Sequence, residues 1–207
     1  MHFIRKFNFM YNQQIIAQIK DNMLTAQHTV SVAESVTSGH LQAALASAEN
    51  ASKFFQGGIT TYNLGQKARH LKVEPIHAET CNCVSEKVAG EMALNVTGLF
   101  SSDWGIGITG YAAPIPECNI HELFAYYAIS HRGKLLDQKF ISAEKGEPME
   151  VQIFYVNKIL TAFNELIVKT KNRNQSSFSR SDLNSINSKS TSAGPVNTSP
   201  SIEKREP

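Results

Sequence analysis

The feature that most constrains the fold is a strand segment stopped abruptly and followed at once by a helix. Thr29-Val30-Ser31-Val32-Ala33-Glu34 alternates like a β-strand, Thr37-Ser38-Gly39 breaks it, and Leu41 to Ala48 is rich in Ala and Leu, as a helix requires. Ser35 therefore falls on a strand-to-helix turn. An amphipathic helix precedes this unit, with Ile15, Ile16, Ile19, Met23 and Leu24 at helical spacing between Tyr11 and Gln27. Such units, repeated, demand a layered α/β architecture in which helices cover a sheet.

The remaining punctuation extends the pattern. Phe54 to Tyr62 reads as a second strand with Gly57 and Gly58 near its start, followed by a short helix to Leu71 that Asn63 caps and that carries Lys67. After a loop containing Pro75, Ser85 caps a helix bearing Val88, Met92, Val96 and Leu99. Asp103 to Thr109 reads as a buried strand and Gly110 to His121 as a loop with two prolines. Arg132-Gly133 joins two strands as a hairpin, and Met149 to Val168 forms a last amphipathic helix. The expected fold is a single α/β domain, residues 11–168, with a mixed central sheet flanked by helices, after an N-terminal extension of residues 1–10.

From Lys169 onward Ser, Asn, Lys and Pro dominate, and isolated apolar residues bury too little surface to offset ordering entropy, so residues 169–207 are expected to be a disordered tail. The whole-chain charge of +2 comes from this segment, which has seven basic and three acidic residues, leaving the rest slightly acidic. A domain of that balance has no electrostatic footprint for nucleic acid. No run of ~18 apolar residues is present to span a membrane, and MHFIRKFNFMYNQQ has no signal-like apolar stretch. With three cysteines, an odd number, the expected setting is the reducing cytoplasm.

Four motifs in order carry a resemblance. They are Ala33-Glu34-Ser35-Val36-Thr37-Ser38-Gly39, then Gly57-Gly58-Ile59-Thr60-Thr61-Tyr62 running on to Lys67, then Cys83-Val84-Ser85, and last Gly107-Ile108-Thr109-Gly110-Tyr111-Ala112-Ala113-Pro114. In this order the chain resembles the CinA C-terminal domain family, whose members include bacterial nicotinamide mononucleotide amidohydrolases of pyridine nucleotide salvage. The resemblance covers roughly residues 15–166. It implies a hydrolase with Ser35 as nucleophile, Lys67 as base and Tyr62 as their partner, and with Thr37, Gly39, Gly58, Thr109 and Gly110 in substrate binding. It also implies a small-molecule substrate, no cofactor and a homo-oligomer. The chemistry fits those residue types, because cleaving a carboxamide needs a nucleophile, a group that takes and returns a proton, and stabilisation of the oxyanion. The amides around Thr37 to Gly39 open a helix and could serve an oxyanion or a phosphate.

The sequence departs from the family pattern at Val36, Ser38 and Ala113, and at Pro148 and Gln152, where the family has arginines able to hold an anion. The alternative reading is a non-catalytic or altered-specificity paralogue. His77, Cys81, Cys83, Cys118 and His121 lie in two loops and are of zinc-binding type, but C-x-C is not a common structural zinc pair, so no metal is expected.

Overall fold

A computed structural model describes the backbone of residues 10–190 and the side chains of residues 10–173. The chain divides into two units, residues 1–168 and 169–207. The first unit contains five strands, β1 (Val30–Glu34), β2 (Phe55–Thr60), β3 (Trp104–Gly110), β4 (Leu123–His131) and β5 (Lys134–Ala143), in the order β2-β1-β3-β4-β5. β1 pairs parallel with both β2 and β3, whereas β3, β4 and β5 pair antiparallel, with Thr109 opposite Tyr126 and Tyr126 opposite Phe140. The sheet is thus mixed and layered, as the sequence predicts.

Helices α1 (Gln13–Ala26), α2 (His40–Ala46), α3 (Leu64–Leu71), α4 (Pro75–Thr80), α5 (Glu86–Phe100) and α6 (Pro148–Ser190) complete the fold. Their starts follow local chemistry. Asn12, Asn63 and Ser85 each accept a hydrogen bond from the amide three residues on, which satisfies a donor that the first turn leaves without a partner. The α4 helix replaces the loop expected around Pro75. Pro75 sits at the start, where its missing N–H costs nothing, and the Glu74 carboxylate accepts from the Ile76 and His77 amides at 2.8 and 2.7 Å.

Two apolar clusters sandwich the sheet. On one side Ile16, Ile19 and Met23 of α1 and Tyr155, Ile159 and Phe163 of α6 pack with Val32, Trp104, Ile106 and Ile129. On the other, Val88, Met92 and Val96 of α5 pack with Ala33 and with Leu71 and Val73. Gly107 lets α5 approach this closely, since a Cβ there would run into the Ala89 carbonyl and the Ala93 amide. All five residues of β1 are buried, in place of the alternation read from Thr29 to Glu34. A parallel strand flanked by neighbours and covered by helices on both faces has no solvent side.

Within the second unit, residues 169–190 are helical as part of α6, where composition suggested disorder. Extending a helix that is already nucleated needs only one residue's ordering per hydrogen bond, so a polar segment can continue a turn it could not start. The expected N-terminal extension up to residue 9, and the tail beyond residue 190, lie outside the described residues. Among the described residues no helix is long and apolar enough to cross a membrane.

Candidate active site

The chain leaves β1 for β2 on one side and later returns to place β3 on the other. The crevice beyond the carboxyl ends of β1, β2 and β3 is therefore a topological switch point, the position at which open α/β sheets bind ligands. A cavity of about 510 Å³ lies there. Ser35 follows the last residue of β1, Thr61 and Tyr62 follow β2, and Tyr111 follows β3.

Lys67, on α3, points back under this crevice. It is 1% exposed, and its Nζ lies 2.9 Å from Ser35 Oγ. The same nitrogen donates to the carbonyl oxygens of Thr61 at 2.8 Å and Tyr62 at 3.3 Å. Burial lowers the Lys67 pKa below its ordinary value, and the nearby Cys83 thiol opposes that shift more weakly. Burial therefore favours the neutral amine. In the structure Nζ donates to Ser35 Oγ as well as to the two carbonyls; the neutral amine, with its two N–H bonds on the carbonyls, would turn its lone pair to the Ser35 hydroxyl.

Five of the residues expected at the site line this one cavity: Ser35, Tyr62, Lys67, Thr109 and Gly110. Tyr62 does so differently from expectation. Its side chain is 75% exposed at the rim, and it reaches Lys67 through its main-chain carbonyl, not its phenol. Thr109 is buried, and its hydroxyl donates to the Cys83 carbonyl at 2.7 Å. Thr37, Gly39 and Gly58 are not among the lining residues. Gly58 packs against Val32 and Gln42, where a Cβ would come within 2.6 Å of the valine methyl.

Thr37 and Gly39 serve Glu34 instead. This fully buried carboxylate accepts from the Thr37 hydroxyl, from the amides of Gly39 at 3.1 Å and Leu41 at 3.0 Å, and from that of Gln42 at 2.8 Å. The Ser38 and His40 amides donate to the carbonyls of Ser35 and Thr37. The start of α2 was expected to present its amides to an oxyanion or phosphate, but it is occupied by the chain's own anion. The physical reason is that Glu34, at the end of a buried strand, has no water to solvate its charge and takes the donors within reach.

The cavity also contains Asn82 and Tyr111, which sequence reasoning did not assign, and Gln152, which stands where the family pattern has an arginine. Asn82 donates from Nδ2 to the Tyr111 hydroxyl at 3.1 Å, and Gln152 of α6 donates to the Val36 carbonyl at 2.9 Å. Asn82 and Cys83 are consecutive non-glycine residues in the left-handed region, at φ of 48° and 61°. Strain of this kind clusters at functional sites. The one hint in the sequence is the polar Cys-Asn-Cys loop ahead of the Ser85 cap. Among the described residues no group of three or more His, Cys, Asp or Glu side chains is placed to hold a metal, and His77 pairs instead with the Ser85 hydroxyl at 2.9 Å.

Comparison with known proteins agrees with this architecture. The family model of the CinA C-terminal domain matches residues 12–131. A CinA-like protein of Picosynechococcus is 45% identical over 96 residues, which is 46% of this chain and 23% of that protein. The chain spans about a quarter of the length of several such relatives, including a putative competence-damage inducible protein of Streptococcus pneumoniae that is 37% identical over 113 residues. Protein MG115 of Mycoplasma genitalium is 32% identical over 151 residues and is matched over 96% of its length and 73% of this chain. Among solved structures, a CinA superfamily protein of Escherichia coli superimposes with a TM-score of 0.69 at 26% identity, covering 81% of this chain and 95% of that one. A superfamily member from Klebsiella pneumoniae gives 0.71 at 24% identity, over 75% of this chain and 97% of its own, and supports the fold.

Proposed function

Because the chain belongs to the CinA C-terminal domain family, we propose that it is a Ser/Lys amidohydrolase, cleaving the carboxamide of nicotinamide mononucleotide or a related compound to carboxylate and ammonia. The observation that carries the proposal is the 2.9 Å approach of a buried lysine, whose environment favours the neutral amine, to a serine hydroxyl in a switch-point cavity. A serine hydroxyl is a weak nucleophile at neutral pH and needs a base in contact; a desolvated lysine is one.

In this mechanism Lys67 takes the Ser35 proton as Oγ attacks the carboxamide carbon. The tetrahedral intermediate collapses with cleavage of the C–N bond, and the Lys67 ammonium returns its proton to the departing nitrogen, which leaves as ammonia. The product is an ester on Ser35. Water, deprotonated by the regenerated Lys67 amine, then attacks that ester and releases the carboxylate with Ser35 restored. The main-chain carbonyls of Thr61 and Tyr62 fix the amine so that one nitrogen can serve both half-reactions.

The test is ammonia release from nicotinamide mononucleotide and from nicotinamide riboside by the purified full chain, compared with Ser35→Ala and Lys67→Met. The methionine keeps the buried apolar stem and removes the base. Loss of roughly a thousandfold or more in kcat in both variants is expected, in line with removal of a nucleophile or its base. Turnover that survives both changes would refute the mechanism.

A further inference from the structure

Resting on the Ser/Lys reading, we infer that the cavity takes a carboxamide carrying no phosphate, of nucleoside size or smaller. A protein holds a phosphate with arginine or lysine side chains or with free amides at a helix start. Among the described residues the lining of this cavity holds no arginine and a single lysine, Lys67.

Lys67 is the one lining side chain that can carry positive charge. It is committed to Ser35 and two carbonyls, and its burial disfavours the ammonium. The start of α2, next to Ser35, is filled by the Glu34 carboxylate, so the Gly39, Leu41 and Gln42 amides are not open to a ligand. The starts of α3 and α6 border the cavity at Leu64 and Pro148; Asn63 caps the first, and Pro148 removes one N–H from the second, which acidic Glu147 and Glu150 flank. Gln152, one turn further on, spends its amide on the Val36 carbonyl. Lys145 is not among the lining residues.

What the walls do offer is neutral. Leu64, Val84, Tyr111 and Ile115 give apolar surface, while the Asn82–Tyr111 pair and Thr109 provide uncharged polar groups. At about 510 Å³ the cavity is of small-ligand size, with room for an aromatic amide and a sugar. A phosphate dianion brought here would lose hydration and find no cationic side chain beyond Lys67.

The experiment compares nicotinamide riboside with nicotinamide mononucleotide on the full chain at pH 7.5. Ammonia release gives kcat/KM for the unaltered protein, and calorimetric titration of Ser35→Ala gives affinity without turnover. Inorganic phosphate serves as a third titrant. The expected result is at least about a tenfold preference for the riboside in both readouts, and no phosphate binding. Gln152→Arg, with Pro148→Arg as a second placement, is expected to shift the ratio about tenfold toward the mononucleotide. Equal use or preference for the mononucleotide by the unaltered chain would overturn the inference and leave the Ser/Lys reading standing. Riboside-selective binding with no ammonia from either compound would overturn the Ser/Lys reading and leave the selectivity. Binding of neither, or a ratio unmoved in both arginine variants, would overturn the inference.

Discussion

Glu34 should be the most stability-sensitive polar residue in the domain. Its carboxylate is fully buried and satisfies three amides and one hydroxyl at the start of α2. Hydrogen bonds to a charged acceptor contribute roughly 1.5–3 kcal/mol each, and a buried donor stripped of its partner costs about 1–3 kcal/mol. The four are not additive, because they share one acceptor group and α2 can shift a little to admit water. Glu34→Ala should therefore cost roughly 4–6 kcal/mol, beyond the ~0.5–3 kcal/mol of an ordinary substitution. Glu34→Gln keeps the volume and one acceptor oxygen but turns an NH2 group toward an amide donor, so about 2–3 kcal/mol is expected. Urea unfolding followed by the fluorescence of Trp104, the single tryptophan, reads these losses, since its ring is buried between the sheet and α6. At ~2–4 °C per kcal/mol for a domain of this size, the alanine variant should melt roughly 10–20 °C below the unaltered protein. An alanine variant within about 1.5 kcal/mol of the parent, at unchanged m-value, would refute the view that Glu34 anchors the turn under Ser35.

Two further expectations concern pH. Because burial lowers the Lys67 pKa and the base must be neutral, kcat/KM should rise with pH along a limb whose midpoint lies below the ordinary lysine value of 10.5; a limb centred there or higher would contradict the buried-base reading. At the opposite end of the sheet, burial together with the neighbouring His28 and Arg132 pushes His131 down to about 4, against a weaker pull from Asp103, while its ring stacks on Trp104 at 4.0 Å. The fold holds this ring neutral, so the stability it contributes is present above the ordinary 6.5 and is lost as pH falls from there toward 4. His131→Phe should flatten that decline in urea unfolding; a parallel decline in both proteins would place the sensitivity elsewhere, with His28 the next candidate because its pKa is also lowered by burial.

What could be read in the sequence was what is local. Asn63 and Ser85 announce their helices because a cap acts within three residues, and the Ser35 turn is visible because Thr37-Ser38-Gly39 interrupts two unlike periodicities. The α4 helix was hidden because Pro75 ends helices as often as it starts them, and only the Glu74 carboxylate settles which. Whether the α2 amides were free depended on where the Glu34 side chain turns, which a strand pattern does not encode. Asn82 meets Tyr111, and Gln152 reaches Val36, only because β3 lands beside β1 and α6 packs back over the sheet, and pairings across such distances leave no periodic trace.

The strand order also divides labour along the chain. Ser35 and Lys67 both arise within one continuous β1-α2-β2-α3 stretch, whose short connections set their separation. Part of the enclosing wall, Tyr111, Ala112, Ala113, Ile115, Pro148 and Gln152, comes from segments that join much later in sequence. The Ser35–Lys67 contact and this part of its surroundings are thus written in separate parts of the polypeptide. The later loops can drift, lengthen or change charge and so reshape the cavity, while Ser35 and Lys67 keep their distance.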